Sequence, residues 1–279
     1  MDEMLQHVHP DAVLAYNAIA DHITVVEACA PKGISVMVEK PLATTVAQAM
    51  RMEVLAKQYN IHLLTNYETT WYPSNQQVYK MVNEQQKIGS IRKMIVHDGH
   101  QGPKEIGCSK YFLQWLTDPV KNGGGALTDF GCYGANLMTW LMNGKAPISV
   151  TAVTHQIKPI IYPNVDDDAT IVLEYADATG IIEASWNWPY GIKDMEIFGE
   201  KGYLHALNSN TLEARDTGTY YKLVVQPYIY KDNLSYLAAV LRSEIHPVND
   251  LSSLENNIIV VRILEAAKES AKTGKKVVL

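Results

Sequence analysis

Cysteine is scarce and scattered in this sequence. Its 279 residues include three cysteines, Cys29, Cys108 and Cys132, which show neither the even number of a disulfide framework nor the close spacing of a metal site. We therefore expect a protein of a reducing compartment, with the cytoplasm as the default location. We expect all three thiols to be buried small side chains, and we predict no metal site.

An excess of positive charge and long apolar runs are also lacking. Lys and Arg total 24 against 30 Asp and Glu, so the net charge of −6 provides no basic field for a nucleic-acid backbone. No run approaches the roughly 18 apolar residues of a membrane span, and the opening residues MDEMLQHVHP lack the pattern of a secretory signal. Neither nucleic acid nor a membrane is expected as a partner.

The residues that are present fall into two patterns. Up to about residue 66, short apolar strands alternate with helices, which is typical of parallel βαβ units. From residue 67 onward, glycine-containing turns separate strands, as in ATIVLEYADATGIIEASWNW, which is typical of antiparallel hairpins. The sequence predicts an α/β domain over 1–66 and an α+β domain over 67–279 with an open, mainly antiparallel sheet. Its last helix is predicted over about 253–273.

The stretch VMVEKPLATT places Glu39 and Lys40 at the carboxyl end of a predicted parallel strand. In open α/β sheets ligands bind at this rim, and Pro41 holds Lys40 in an extended conformation. The alternative is a surface ion pair, which would contribute about 0 to 1 kcal/mol.

A second stretch, KNGGGALTDFGCYGANLMTWLMNG, has three glycines, Gly123 to Gly125, before a predicted helix. Asp129 and Tyr133 are four residues apart, so one helix would present both on one face. Gly131 and Gly134 would each cost about 1 kcal/mol relative to alanine inside that helix, so another group is expected to approach its backbone closely. Packing against a sheet would explain the glycines but not the aspartate beside a tyrosine. A phosphate cradle is the weaker alternative, because the Lys and Ser/Thr of a Walker loop are missing.

GISVMVEKPLATTVAQA and GGGALTDFGCYGANLMTWLMNG together resemble the Gfo/Idh/MocA family of glucose-fructose oxidoreductases and inositol dehydrogenases. DAVLAYNAIADH and RILEAAKESAKTGKKVVL extend the resemblance over essentially the whole chain. Members have a nicotinamide-dinucleotide Rossmann domain followed by a substrate domain on an open sheet. The resemblance implies NAD or NADP as cofactor, a sugar, cyclitol or related polyol as substrate, and a homo-oligomer formed through the open sheet.

The resemblance also implies catalytic roles. Lys40 is the lysine of the Glu-Lys-Pro motif, and Asp129 and Tyr133 match the family's Asp-x-x-x-His/Tyr pattern. We expect Tyr133 to be the acid/base group, Lys40 to polarise the reacting oxygen, and Asp129 to orient the substrate or the lysine. Lys40 as the immediate proton acceptor is the alternative. A tyrosine base needs a nearby cation that stabilises its phenolate, and Lys40 could supply that charge.

Further residues are candidate contacts with the ligands. The resemblance suggests a cofactor side lined by Asn17, His22, Glu39, Lys40, Asn66 and Trp115. Candidate substrate contacts are Lys40, Tyr67, Trp71, His100, Asp129 and Tyr133. Core packing is the alternative for Trp115, Tyr67 and Trp71, and an exposed loop position is the alternative for His100. Asp166, Asp167 and Asp168 are expected to form a solvated turn.

No G-x-G-x-x-G occurs in the sequence. By its resemblance the chain begins at the family's fourth strand and lacks the N-terminal part of the Rossmann domain, including the pyrophosphate turn. We therefore expect weak or no NAD(P) binding, impaired oxidoreductase activity and an unpaired edge on the strand DAVLAYNA.

Two other functions remain open. One is a non-catalytic remnant that binds sugar or mediates oligomerisation, for which Trp186 and Trp188 on one strand face would be suitable. The other is a Schiff-base lyase with Lys40 as the nucleophilic amine, although no eight-fold βα repeat supports it.

Overall fold

The computed structural model of the chain describes residues 2–216 and 218–279, which contain one parallel and one mixed sheet. The helices are α1 Asp2–His7, α2 His22–Cys29, α3 Val46–Tyr59, α4 Pro73–Tyr79, α5 Lys110–Leu116, α6 Ala126–Asp129, α7 Gly131–Leu141, α8 Asn233–Leu241 and α9 Leu254–Thr273. The strands are β1 Ala12–Ala15, β2 Ser35–Glu39, β3 Leu63–Asn66, β4 Ile91–Gly99, β5 Ser149–His155, β6 Asp168–Glu174, β7 Thr179–Ser185, β8 Ile192–Gly199, β9 Tyr203–Asn208, β10 Thr211–Arg215, β11 Tyr220–Leu223 and β12 Val277–Val278.

The first sheet has the order β1-β2-β3 and is entirely parallel. Val36 and Val38 of β2 lie in the core that α2 and α3 form on one face, and Met37 lies under α8 on the other face. Burial on both faces explains the unbroken apolar run of this strand. Within the described residues β1 is an edge strand, as the sequence predicted.

The second sheet has the order β11-β10-β9-β8-β4-β7-β6-β5-β12. Among these neighbours only β4 and β7 run parallel, so the predicted open, mainly antiparallel sheet is confirmed. Helices α7 and α9 pack against one face. The domain boundary between residues 66 and 67 remains a proposal, although β3 ends at Asn66.

Helix α9 joins the two sheets. It starts after Ser253, whose hydroxyl caps the backbone N–H of Asn256, and it stops at Gly274, which has a φ of +66°. Val261 belongs to the core of the parallel sheet, while Leu264 belongs to the core of the larger sheet. The last helix is therefore close to its predicted bounds.

The single helix predicted after the triple glycine is wrong. The chain forms α6 and α7 with a break at Phe130. Asp129 is the last residue of α6, and Tyr133 lies in the first turn of α7. The expected close approach to the helix backbone is present at Gly134. A Cβ at this position would lie 2.6 Å from the Ile182 side chain of β7.

The predicted solvated turn of aspartates is also wrong. Asp167 is fully buried and accepts hydrogen bonds from the backbone N–H groups of Ile157 and Lys158. The Asp166 carboxylate accepts from the N–H groups of Gly125 and Leu127 at 2.9 and 2.7 Å. The Asp166 carboxylate thus takes up backbone N–H groups at the start of α6 that would otherwise be free to bind a phosphate. The triple glycine therefore does not offer a free phosphate cradle.

Two smaller expectations fail. Cys29 and Cys132 are buried, but Cys108 is only partly buried. Trp186 and Trp188 do not share one face of a strand, because β7 ends at Ser185. Trp186 packs on Tyr162 in the core, whereas Trp188 contacts His97.

Candidate functional site

Lys40 connects the two parts of the chain. It follows the last residue of β2, and its ammonium donates to the Oδ1 atom of Asp129 at 2.5 Å and to the Asp129 carbonyl at 2.8 Å. Burial by itself lowers the pKa of Lys40, but the Asp129 carboxylate outweighs burial and the pKa is raised. Lys40 is therefore a fixed ammonium ion at neutral pH.

Asp129 is held by a second donor from the large sheet. Trp186 Nε1 donates to Asp129 Oδ2 at 3.1 Å, and the Trp186 side chain is fully buried. The indole and the ammonium thus occupy different oxygens of one carboxylate, which fixes its plane. This geometry suits Asp129 for orienting Lys40.

Tyr133 lies beside this ion pair. The Lys40 ammonium is 5.0 Å from the centroid of the Tyr133 ring, within the range of a cation–π contact. The convergence of Lys40, Asp129 and Tyr133 expected from the sequence is therefore present. The sequence analysis expected the charge of Lys40 to stabilise the phenolate of Tyr133. Instead, burial and, second to it, the neighbouring Asp98 raise the pKa of Tyr133 well above its usual range.

Three residues of this cluster were missed by the sequence analysis. The Lys193 ammonium lies 4.2 Å from the Tyr133 ring centroid and 3.6 Å from Asp98 Oδ2. It also pairs with Glu68 at 2.8 Å. One signal could have revealed Asp98, because strand alternation places it on the same face as the buried Met94 and Val96.

His100 lies next to this cluster, as expected. It shares a cavity of about 560 Å³ with Asp98, Phe130, Lys193 and Tyr72. Its Nδ1 accepts from the Gly102 N–H at 2.9 Å, and burial lowers its pKa. The ring is therefore neutral at pH 7, with its proton on Nε2.

The rim of the parallel sheet carries the remaining predicted cofactor contacts. Glu39 binds the side-chain amide of Asn66 and, at 3.3 Å, the backbone N–H of Lys40. Trp71 Nε1 in turn donates to Asn66 Oδ1 at 3.0 Å. Glu39 therefore points along the rim toward β3, away from the ion pair that Lys40 makes across the domain junction.

Asn17 and His22 form the other part of the rim. His22 is fully buried with Nδ1 3.1 Å from the Leu42 carbonyl, and burial lowers its pKa to about 4. Within the described chain, His22 Nε2 and Asn17 Oδ1 are buried without a hydrogen-bond partner. Orphaned polar atoms at this rim fit a polar ligand such as the ribose and carboxamide of a nicotinamide nucleotide.

The aromatic candidates mostly pack inside the protein. Tyr67 makes a T-shaped contact with Tyr133 and is fully buried, so it offers no face for a sugar to stack on. Trp71 packs against Tyr236 and positions Asn66. Trp115 lies on α5 against Phe112 and the main core, and no contact brings it to Lys40. The structure thus favours the packing alternative for all three.

Metal and membrane features complete the description. In residues 2–216 and 218–279, no three His, Cys, Asp or Glu side chains are grouped to hold a metal ion. No helix of the described chain combines the length and apolar character needed to span a bilayer.

Comparison with known proteins places this geometry in a family. Residues 1–67 match the model of the oxidoreductase family with an NAD-binding Rossmann fold, and residues 75–205 match the GFO/IDH/MocA C-terminal domain. Trans-1,2-dihydrobenzene-1,2-diol dehydrogenase of Xenopus laevis is 29% identical over 185 residues, which are 66% of this chain and 51% of that protein. The rhizopine catabolism protein MocA of Rhizobium meliloti is 24% identical over 73% of this chain and 61% of its own length. The chain thus spans about half the length of the first of these relatives.

Solved structures show the same fold. An aldose-aldose oxidoreductase of Caulobacter crescentus, crystallised with glycerol, superposes with a TM-score of 0.86 at 23% identity, covering 100% of this chain and 82% of that one. An inositol dehydrogenase homolog of Azotobacter vinelandii, crystallised with NAD+, gives a TM-score of 0.83 at 18% identity over 96% of this chain and 78% of that one. With both family models matched in order and the motif residues Lys40, Asp129 and Tyr133 assembled at one site, the chain belongs to the Gfo/Idh/MocA family of oxidoreductases.

Proposed function

We propose that this chain carries the site of an NAD(P)-dependent oxidoreductase that transfers hydride to or from a sugar, cyclitol or related polyol. The observation that carries the proposal is the position of the Lys40 ammonium, which is bound to Asp129 and faces the ring of Tyr133. An alcohol that loses hydride must also lose its hydroxyl proton, and the reverse reaction must return it. A cation and a phenol side by side provide for both needs.

The electrostatics assign a role to each residue. Lys40, with its raised pKa, polarises the substrate oxygen as a permanent cation. Tyr133, also with a raised pKa, is a phenol at neutral pH and donates its proton to a carbonyl oxygen in the reductive direction. Asp129 holds Lys40 in place. This arrangement favours Tyr133 over Lys40 as the proton-transfer group.

A nicotinamide nucleotide supplies or accepts the hydride when bound. Asn17, His22, Glu39 and Asn66 are the residues that would hold its nicotinamide end, at the rim where the buried polar atoms lack partners. No G-x-G-x-x-G turn is available in this sequence for the pyrophosphate. We therefore propose that the 279-residue chain binds NAD(P) weakly, and a micromolar dissociation constant by calorimetry would contradict this.

Two alternatives are less consistent with the site. A Schiff-base lysine must be a free amine, and the pKa of Lys40 is raised rather than lowered. A non-catalytic sugar-binding module has no use for a buried ammonium–carboxylate pair beside a phenol. Its supporting pair of tryptophans is also divided between the core and a partly exposed position.

Turnover with a panel of pyranoses, inositols and dihydrodiols, with NAD and with NADP at high concentration, tests the proposal. We expect Lys40→Met to lower kcat/KM about 100-fold or more, as for loss of a positioned proton-transfer or charge-stabilising group. Lys57→Met, at an exposed lysine of α3, serves as the matched control and should leave the rate unchanged. Equal rates in the wild type and Lys40→Met, or a borohydride-trapped adduct on Lys40, would overturn it.

A further inference from the structure

Asp98 and Lys193 are a cross-strand pair with no role in the scheme above. They are direct partners in the antiparallel register of β4 and β8, so both side chains project from the same side of the sheet. This side faces α7, where the Lys193 ammonium lies 4.2 Å from the centre of the Tyr133 ring. It is closer to that ring than the Lys40 ammonium, which lies at 5.0 Å.

Asp98 is an unusual partner for a lysine. Its side chain is 2% exposed, and its Oδ2 atom has no hydrogen bond within the described residues, although the Lys193 ammonium is 3.6 Å away. Burial raises the pKa of Asp98 to about 8, against the opposing effect of Lys193 and Lys40. The carboxyl group therefore changes charge within the range of pH in which an enzyme works.

The pair also connects Tyr133 with open space. Asp98, Lys193 and Tyr133 line one narrow crevice of about 10 Å³, which has room for about one water molecule. Asp98 and Lys193 line in addition the cavity of about 560 Å³ that contains His100 and Phe130. The two residues thus stand between the phenol and the cavity in which a polyol would fit.

We propose that Lys193, which is hydrogen-bonded to Glu68 and lies beside Asp98, is a positioning residue that adjusts the acidity of Tyr133 from the cavity side. The inference rests on the proposed function for the statement that Tyr133 transfers the proton. While Asp98 is protonated, the positive charge of Lys193 makes the Tyr133 phenol a stronger acid. Once Asp98 loses its proton to water in the cavity, its negative charge offsets Lys193 and makes the Tyr133 phenol a weaker acid.

Other charged and titratable groups face this pair from each neighbouring element. They are Lys40 after β2, Glu68 in the turn after β3, Tyr72 just before α4, His100 after β4, Asp129 of α6, and Cys132 of α7. Burial holds the pKa of Cys132 at about 12, so its thiol stays neutral. Burial alone would raise the pKa of Glu68, but the ion pair with Lys193 outweighs burial and lowers it. Glu68 is therefore an ionised carboxylate at neutral pH. Asp98 is therefore the member of the group that we expect to titrate near pH 8.

Tyrosine-selective carbon-13 NMR tests the coupling without any need for activity. The Tyr133 resonance is assigned as the one missing from Tyr133→Phe and is followed between about pH 6 and 10. We expect an inflection near pH 8, absent in Asp98→Asn and shifted upward in Lys193→Met, because removal of the cation makes Asp98 a weaker acid. Lys193→Arg should restore the inflection, and Lys201→Met, at an exposed turn, should not change it.

The pair is ruled out as a control of Tyr133 if that resonance shows no inflection, or shows one that Lys193→Met and Asp98→Asn leave in place. A pH profile of kcat/KM then separates this inference from the proposed function. If the wild type turns over polyols, Lys193→Met should lower kcat about tenfold with a smaller effect on KM and displace the limb near pH 8. If the wild type turns over none of them, the proposed function fails, while the NMR titration still decides whether Asp98 and Lys193 control Tyr133.

Discussion

At the scale of single residues, burial and pairing act on the same side chains with different outcomes. Lys40 is buried, yet its pKa rises because Asp129 lies 2.5 Å from the ammonium. Tyr133 has two ammonium groups against its ring, yet its pKa rises because burial and Asp98 dominate. The sequence could predict which residue types meet, but the sign of each shift depends on distances that only the folded chain sets.

His22 provides a prediction at this scale. Burial lowers its pKa to about 4 in the folded state, against about 6.5 in the unfolded chain. Between about pH 6.5 and 4, His22 is protonated in the unfolded chain but neutral in the folded protein. The free energy of unfolding should therefore fall as the pH drops through this range. The loss should reach about 3 kcal/mol.

Urea unfolding at a series of pH values measures this dependence. His22→Gln should remove most of the slope between pH 6.5 and 4, whatever its effect on stability at pH 7. His155→Gln, at an exposed position of β5, is the control and should keep the wild-type slope. A His22→Gln protein with an unchanged slope would show that His22 is not the group responsible.

At the scale of helices and strands, local patterns predicted much of the fold. The continuous burial of β2 and the caps of α9 could be predicted from apolar runs, serine and glycine. The break at Phe130 could not, since it depends on how α7 packs against the sheet. The pairing of Asp98 with Lys193 depends on the register of β4 with β8, and these strands are distant in the sequence. Non-local register is the information that periodicity does not contain.

Gly134 of α7 gives a prediction in which two effects oppose each other. Helix propensity alone would favour alanine by about 1 kcal/mol. However, the added methyl group would lie 2.6 Å from Ile182 of β7 and force the helix away from the sheet. We expect Gly134→Ala to lower the free energy of unfolding by about 1 to 3 kcal/mol.

A double-mutant cycle checks the physical reason. Ile182→Ala removes the Cγ1 and Cγ2 atoms that the added methyl group would meet, so the combination with Gly134→Ala should be less destabilising than the two single changes added together. Strict additivity, or a more stable Gly134→Ala protein, would mean that the contact does not limit the approach of α7 to the sheet.

At the scale of the whole molecule, the site depends on how the two sheets are joined. Lys268 of α9 donates to the carbonyls of Thr44 and Gly123 at 3.0 and 3.1 Å, which ties the loop that follows Lys40 to the loop that precedes Asp129. The sequence predicted two parts and their motifs, but this connection between three distant segments was not visible in it. The remaining large feature is the sheet face opposite α7 and α9, on which Ile95, Val172 and Ile181 are only partly buried.

We propose that a second copy of the chain covers this face. Ile95, Val172 and Ile181 form an apolar row across β4, β6 and β7, because they are cross-strand partners in register. Ile181→Lys should therefore convert an oligomer to a monomer in light scattering. Ile160→Lys, at a 97% exposed loop position, is the control and should leave the mass unchanged. A wild-type chain that is monomeric at high concentration would contradict the proposal.

The most direct test of the central claim is the fate of the hydrogen at the reacting carbon. A polyol deuterated at its secondary alcohol carbons is incubated with the chain and a high concentration of oxidised NAD or NADP, and the reduced nicotinamide is analysed by mass spectrometry. The account predicts deuterium in the nicotinamide with the wild type, and about 100-fold less transfer at equal time with Tyr133→Phe or Lys40→Met. Transfer by the wild type that persists undiminished in both variants would show that the group at Lys40, Asp129 and Tyr133 is not the reaction site.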